Sequence, residues 1–477
     1  MNQPAENLIA PNKTTSVLGG IFWLTSANLI AKIGGVFVQF LLAWLLDARD
    51  FGVYAIAMST SALLLGLRNG GTDQLLILKQ KQFDRLSPII LTYSGFFNLA
   101  AATIICLLAF PAAKYYQEQE LIKLMPLIAL SVITSIYVPV LSAQLSIQEQ
   151  YQSLSKYTSV SILIKHTLTV VFALIGFGVY SFILPLLIQP LIFCYFSRHT
   201  INAFPKPQRI NLQQTKSIFQ DSKWLIFSNL SNQLTLHGQI FIFALFVTPE
   251  IVGFYFFTLI IINSPIMLIN ATFTGVIFPD LTKLADNREK LALRFNSFLN
   301  LFFSISSVIA IAIFITGPWV IDTFWQGKWN QSIPLLSALV FIIPFWVAID
   351  LCAQYISSLG MWKERFFILF GTAVVDILAI FVVCTLFDFL SAIYILVLFK
   401  LIYFEVIIRI ISHSKVKSER YHSFPIVIFF ILILYNHFFK NDQIPQYLEI
   451  ISLLIFSYYG IIIYKTINQI NLIRSGS

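Results

Sequence analysis

Three cations interrupt apolar runs in the first half of this chain: Lys32, Arg68 and Lys165. A charge at the centre of a membrane helix costs about 2.5–3.5 kcal/mol on insertion scales, so each should face protein or water and is a functional candidate by default. Few anions lie near them in sequence, which suits an anionic guest. A diphosphate fits, because Lys and Arg grip phosphate oxygens through charge-assisted hydrogen bonds. The bland alternative pairs Arg68 with Asp73 and leaves Lys32 and Lys165 solvated in a cavity of no special chemistry. Lys32 also belongs to a polar series, Asn28, Lys32, Gly35 and Gln39, whose spacing puts all four on one helical face. That face is expected to line an aqueous path, which makes Asn28 and Gln39 further substrate-binding candidates.

The second half carries Asp350, Asp376 and Lys400 at comparable depth. Asp376 and Lys400 fall on successive apolar segments and form either a structural pair or part of an ion path, pairing being the usual way such charges are tolerated. Asp350 has no evident basic neighbour in sequence and is the candidate to accept a coupling proton or sodium ion. His166 and His237 read as polar lining rather than as proton relays. No GxxxxGK[ST] or GxGxxG loop and no zinc pattern occurs, so neither ATP hydrolysis nor a cofactor or metal site is expected. Cys106, Cys194, Cys352 and Cys384 lie far apart within apolar segments and read as packing residues.

The elements that must hold these side chains follow from composition. The 477 residues are 57% hydrophobic and only 11% charged, with a mean hydropathy of +0.80, whereas soluble domains carry roughly 25% charge. A helix needs about 20 apolar residues to cross the hydrocarbon. By that measure spans are predicted near 16–46, 52–77, 88–113, 124–147, 156–177, 180–197 and 223–247. A second set falls near 251–277, 295–321, 332–357, 366–387, 389–411, 423–438 and 447–467. The expected fold class is therefore all-α and polytopic, with about fourteen transmembrane helices. The lead ending at Lys13 and the long apolar run after it read as a retained first span rather than a signal peptide.

Most of the 31 Lys and Arg residues lie in alternate connections, such as Lys79, Lys81 and Arg85 or Arg198, Lys206 and Arg209. The other connections hold only Arg49, Lys114, Lys123, Lys328 and Lys440. Because cytoplasmic loops hold basic residues in excess, both termini are expected in the cytoplasm. This alternation also accounts for the net charge of +9 without nucleic acid as a partner. Trp319, Trp325 and Trp329 in one outer loop, with Trp44 and Trp362 at span ends, read as interfacial anchors.

The chain resembles itself. Trp23, Leu24, Asn28 and Leu29 recur at the same spacing as Trp224, Leu225, Asn229 and Leu230, and the register continues without a gap from Gly52 and Tyr54 to Gly253 and Tyr255. Further on, Ala143 and Gln144 recur as Ala353 and Gln354. Asn229, Gln233 and His237 repeat the polar series of the first helix without its lysine. Two pseudo-symmetric six-helix lobes follow, 1–200 and 223–412, joined by an amphipathic cytoplasmic linker at 201–222 and followed by two further helices within 413–477. Substrate is expected between the lobes near the midplane.

Four segments carry a family resemblance: LLDARDFGVYAIA from Leu45, VGFYFFTLII from Val252, VIFPDLTKLADN from Val276 and FWQGKWNQSIPLL from Phe324. Their order resembles the polysaccharide transporter branch of the multidrug, oligosaccharidyl-lipid and polysaccharide exporter superfamily, over nearly the whole chain. The resemblance implies a V of two six-helix lobes in a bacterial inner membrane. It also implies a flippase, not an enzyme, moving an undecaprenyl-diphosphate-linked oligosaccharide of an O-antigen or exopolysaccharide. Members are similar to lipid II flippases, in which first-lobe cations facing the cavity meet the diphosphate, and that role transfers to Lys32, Arg68 and Lys165. Expected partners are the lipid-linked oligosaccharide, the bilayer, a coupling proton or sodium ion, and the polysaccharide polymerase machinery. The alternatives are a multidrug/cation antiporter, which first-lobe cations disfavour, and a membrane polysaccharide polymerase or ligase, which the short, sparsely charged outer loops disfavour.

Overall fold

The computed structural model describes residues 17–68, 72–201, 204–273 and 277–413, with helical pieces within 425–433 and 451–466; for 17–30 it describes the backbone only. Among the described residues every regular element is helical. The first half runs α1 (Val17–Leu45), α2 (Ala48–Leu67), α3 (Thr72–Leu78), α4 (Phe83–Tyr116), α5 (Leu121–Thr134), α6 (Val138–Ile147), α7 (Tyr151–Leu174) and α8 (Tyr180–Ser197). The second runs α9 (Leu212–Ala244), α10 (Pro249–Thr272), α11 (Phe278–Lys283), α12 (Arg288–Phe324), α13 (Ile333–Leu339), α14 (Ile342–Ser358), α15 (Trp362–Leu386) and α16 (Phe389–His413).

Each expected span up to residue 411 coincides with one helix or a consecutive pair. Pro139 in the first turn of α6 accounts for the break after α5, since proline starts a helix readily and cannot continue the preceding one. Eight helices among the described residues are long and apolar enough to cross a membrane, or nine if α13 and α14, bent by 49°, count as one span. The two last expected spans lie largely outside the described residues.

α9 is not among those eight, although it is 33 residues long. Its Asn229, Asn232, Gln233, Thr235 and Gln239 make it the most polar of the long helices. It packs between α2 and α15, and a polar helix is tolerated at membrane depth where its groups face protein or a wet cavity. It also begins inside the expected linker: Asn211 accepts from the Gln214 amide, and Gln214 accepts in return from the Asn211 amide, a capping box that fixes the helix start at Leu212. The stretch before it is pinned to α4, where the Gln208 amide donates to Thr92 Oγ1 at 3.0 Å and Thr92 donates to the Gln208 carbonyl at 2.7 Å.

The repeat reappears as a reciprocal contact. A methyl group on Gly52 would sit 1.6 Å from the Pro249 carbonyl oxygen, and one on Gly253 would sit 1.7 Å from the Ala48 carbonyl oxygen. α2 and α10 therefore touch backbone to backbone, and only glycine fits at either equivalent position, as at close helix crossings in membranes generally. Around this crossing Phe51, Phe257 and Trp329 form an aromatic core, with Trp329 stacked on Phe257 at 4.2 Å.

This corrects the interfacial reading of two tryptophans. Trp319 and Trp44 are 69% and 50% exposed, as anchors should be, but Trp325 and Trp329 are 7% and 0% exposed. Their indole N–H groups donate to the carbonyls of Phe40 and Ala43 at 3.4 and 2.8 Å. The carbonyls of the last turn of α1, Ala43 among them, have no partner within the helix, and the 325–329 loop supplies donors to Ala43 and Trp44 from the other half of the molecule, while the Phe40 carbonyl lies a turn further in. Lys328 adds an ion pair to Asp47 at 3.2 Å.

Candidate functional site

Three cavities divide the charges singled out in the sequence. The first, about 540 Å³, is walled by α1, α7 and α8 on one side and by α10 on the other. Lys32, Gln39, Lys165 and His166 line it, with Gln189 and Asn263. The heptad-like face of α1 brings Lys32 and Gln39 to the cavity, and α7 contributes Ile162, Lys165, His166 and Thr169 at helical spacing. Gly35 faces the His166 ring across this packing, where an added methyl group would lie in ordinary contact at 3.4 Å. No carboxylate is among the described residues lining this space. Gln39 Oε1 is buried and accepts no hydrogen bond within the protein. Asn28 lies one turn before Lys32 on α1, but its side chain falls outside the described residues.

Arg68 is not in that cavity. It sits just past α2 in an adjoining one of about 340 Å³, lined with Ser131, Ser135, Ser142, Thr158 and Ser161. Leu186 and Gln189 of α8 line both spaces, so the cavities are neighbours across one helix face. The Asp73 side chain, the partner weighed for Arg68, lies outside the described residues.

The third cavity, about 680 Å³, belongs to α9, α14, α15 and α16 and takes in Asp350, Asp376 and Lys400 together. Lys400 and Asp376 form an ion pair whose side chains are only 8% and 7% exposed. Gln239 Nε2 lies 3.5 Å from the Asp376 carboxylate, and the Tyr255 hydroxyl donates to Gln239 Oε1 at 3.3 Å. The Lys400 ammonium lies 5.4 Å from the Trp346 ring centre, a favourable cation–π distance.

Asp350 accepts a hydrogen bond from Asn270 and interacts electrostatically with Arg365, which lines the same cavity. Arg365 is one residue outside the span expected at 366–387 and gives no signal of its own in the sequence. The first turn of α15 carries Arg365 back toward α14. Gln189, Asn263 and Gln239 were missed altogether, because a neutral amide in an apolar run gives no charge signal; for Gln239, its position two residues after His237 on the polar face of α9 was the available hint.

A polytopic all-α bundle of long apolar helices with polar cavities between them defines a multi-pass membrane protein. The chain belongs to the polysaccharide biosynthesis protein family, whose model matches residues 41–334. The lipopolysaccharide biosynthesis protein WzxC of Escherichia coli K12 is 20% identical over 333 residues, spanning 68% of this chain and 66% of that protein, just under two thirds of its length. In fold, the chain is similar to the lipid II flippase MurJ in an inward closed conformation (TM-score 0.69, 12% identity, 94% of this chain and 99% of that one). It is also similar to an inward-facing multidrug resistance MATE family transporter of the MOP superfamily (TM-score 0.58, 14% identity, 84% and 95%). The superfamily resemblance read from the four sequence segments agrees with these matches.

Proposed function

We propose that the protein is a flippase for a polyprenyl-diphosphate-linked oligosaccharide in a bacterial inner membrane, working by alternating access. The observation that carries this reading is the first cavity. Lys32 and Lys165 meet there between the two halves of the molecule with no lining carboxylate among the described residues, an arrangement that favours an anion and disfavours a cationic drug. Family membership and the similarity to the lipopolysaccharide biosynthesis protein WzxC support the polysaccharide context. The diphosphate engages Lys32 and Lys165, the prenyl tail stays in lipid, and rocking of the halves about the Gly52–Gly253 crossing carries the headgroup across. Basic-residue bias supports a cytoplasmic location for both termini. No bond is made or broken.

The test is reconstitution in vesicles with a labelled diphosphate-linked oligosaccharide, measuring both exposure in the opposite leaflet and glycan length. Time-dependent exposure at constant length is expected. Lengthened glycan would indicate a polymerase, and neither change would reject the substrate.

A further inference from the structure

The Arg68 cavity has a chemistry unlike that of its neighbour. Ser131, Ser135, Ser142 and Ser161 each donate to a carbonyl one turn back in their own helix, at 2.7, 2.8, 3.0 and 2.8 Å. A hydroxyl has one proton and two acceptor lone pairs, so with the proton committed each oxygen faces the cavity as an acceptor. Groups from α2, α5, α6, α7 and α8 converge on a space of about 340 Å³, near the lower end of the roughly 300–1,000 Å³ range of small-ligand sites. A diphosphate presents acceptors only and would meet four acceptor oxygens with no protons to share. A sugar presents many hydroxyl protons, together with ring and hydroxyl oxygens that can accept from the Arg68 guanidinium and the Gln189 amide.

We infer that the Arg68 cavity is the subsite for the sugar joined to the diphosphate, with Gln189 at the boundary between the two. The inference rests on the proposed function, because it takes the diphosphate to lie against Lys32 and Lys165. It moves Arg68 from diphosphate contact to sugar recognition, and it makes the serines of α5 and α7 specificity determinants. The order of the cavities matches the order of the ligand: diphosphate in the first space, its attached sugar in the second, and the lining of α8 shared where the two meet.

The full-length protein in nanodiscs tests this with two kinds of probe: a bare polyprenyl diphosphate, and the same lipid carrying one glucose, galactose, N-acetylglucosamine or N-acetylgalactosamine. At least one sugar-bearing lipid should bind the unaltered protein about tenfold more tightly than the bare lipid, a gain that a few hydrogen bonds can supply. The variant combining Ser131→Ala, Ser135→Ala and Ser161→Ala should lose that preference and bind the bare lipid as before, which also shows that it is folded. No preference in the unaltered protein, or an undiminished one in the variant, would overturn the inference. Lys32→Ala with Lys165→Ala should weaken both probes. Undiminished binding of the bare lipid by that variant would reject the diphosphate reading instead.

Discussion

The Lys32–Lys165 cavity and the Asp376–Lys400 cavity both carry charge among apolar helices and differ in how that charge is answered. In the second half, Asp376 is answered by Lys400 in a buried ion pair, and Asp350 by a hydrogen bond from Asn270 with Arg365 lining the same cavity. In the first half, Lys32 and Lys165 share a cavity whose described lining has no carboxylate. An internally matched pair mainly affects stability, because removing one partner strands a buried charge. A cation left for an external partner affects binding. Buried charge alone does not tell these cases apart; the inventory of the cavity wall does.

The largest effect that would sharpen this contrast is on export. Lys32→Ala combined with Lys165→Ala should reduce complementation of polymer export at least a hundredfold at normal expression, with the melting temperature in detergent unchanged. Near-normal export would break the comparison. Next in size, Lys400→Ala or Asp376→Asn alone should destabilise the protein by about 3–5 kcal/mol, the scale of a broken buried pair, seen as a large drop in melting temperature. Lys400→Met with Asp376→Leu should recover most of that loss. Equal damage from the double change would show that the pair does more than neutralise itself.

A smaller, kinetic effect concerns coupling. If Asp350 accepts the coupling ion, Asp350→Asn should leave slow downhill flipping but remove its acceleration by an imposed proton or sodium gradient in vesicles. Acceleration of the usual size would exclude Asp350 from that role. Smallest of all, Trp329→Phe keeps the aromatic packing but deletes the indole donor to the Ala43 carbonyl. It should cost about 1 kcal/mol, measurable as a modest shift in thermal unfolding, whereas a shift as large as that of Lys400→Ala would place the main inter-half restraint in this loop.

Much of the fold was legible because the bilayer sets a simple length rule: the apolar runs from 16 to 411 reappear as helices or helix pairs. Gly52 and Gly253, matched in the proposed repeat, both fall where two backbones touch and a side chain has no room. The tryptophans were misread for the same reason the spans were read well. Position relative to a span end predicts an interfacial ring, but whether a ring finds a carbonyl in the other half depends on a loop closing over α1. The surroundings of Asp350 were likewise not legible, since Asn270 and Arg365 come to its cavity from other helices.

Sequence by itself determined the membrane class, the helical runs, the duplicated register and the identity of the deep charges, because each follows from local composition and spacing in a medium that penalises polar groups. Only the tertiary structure decided that Lys32 and Lys165 share one cavity, that Arg68 stands among hydroxyls next door, and that Lys400 is matched by Asp376. Those facts depend on which helix faces meet, and side-chain electrostatics falls off over distances that only packing between remote helices sets.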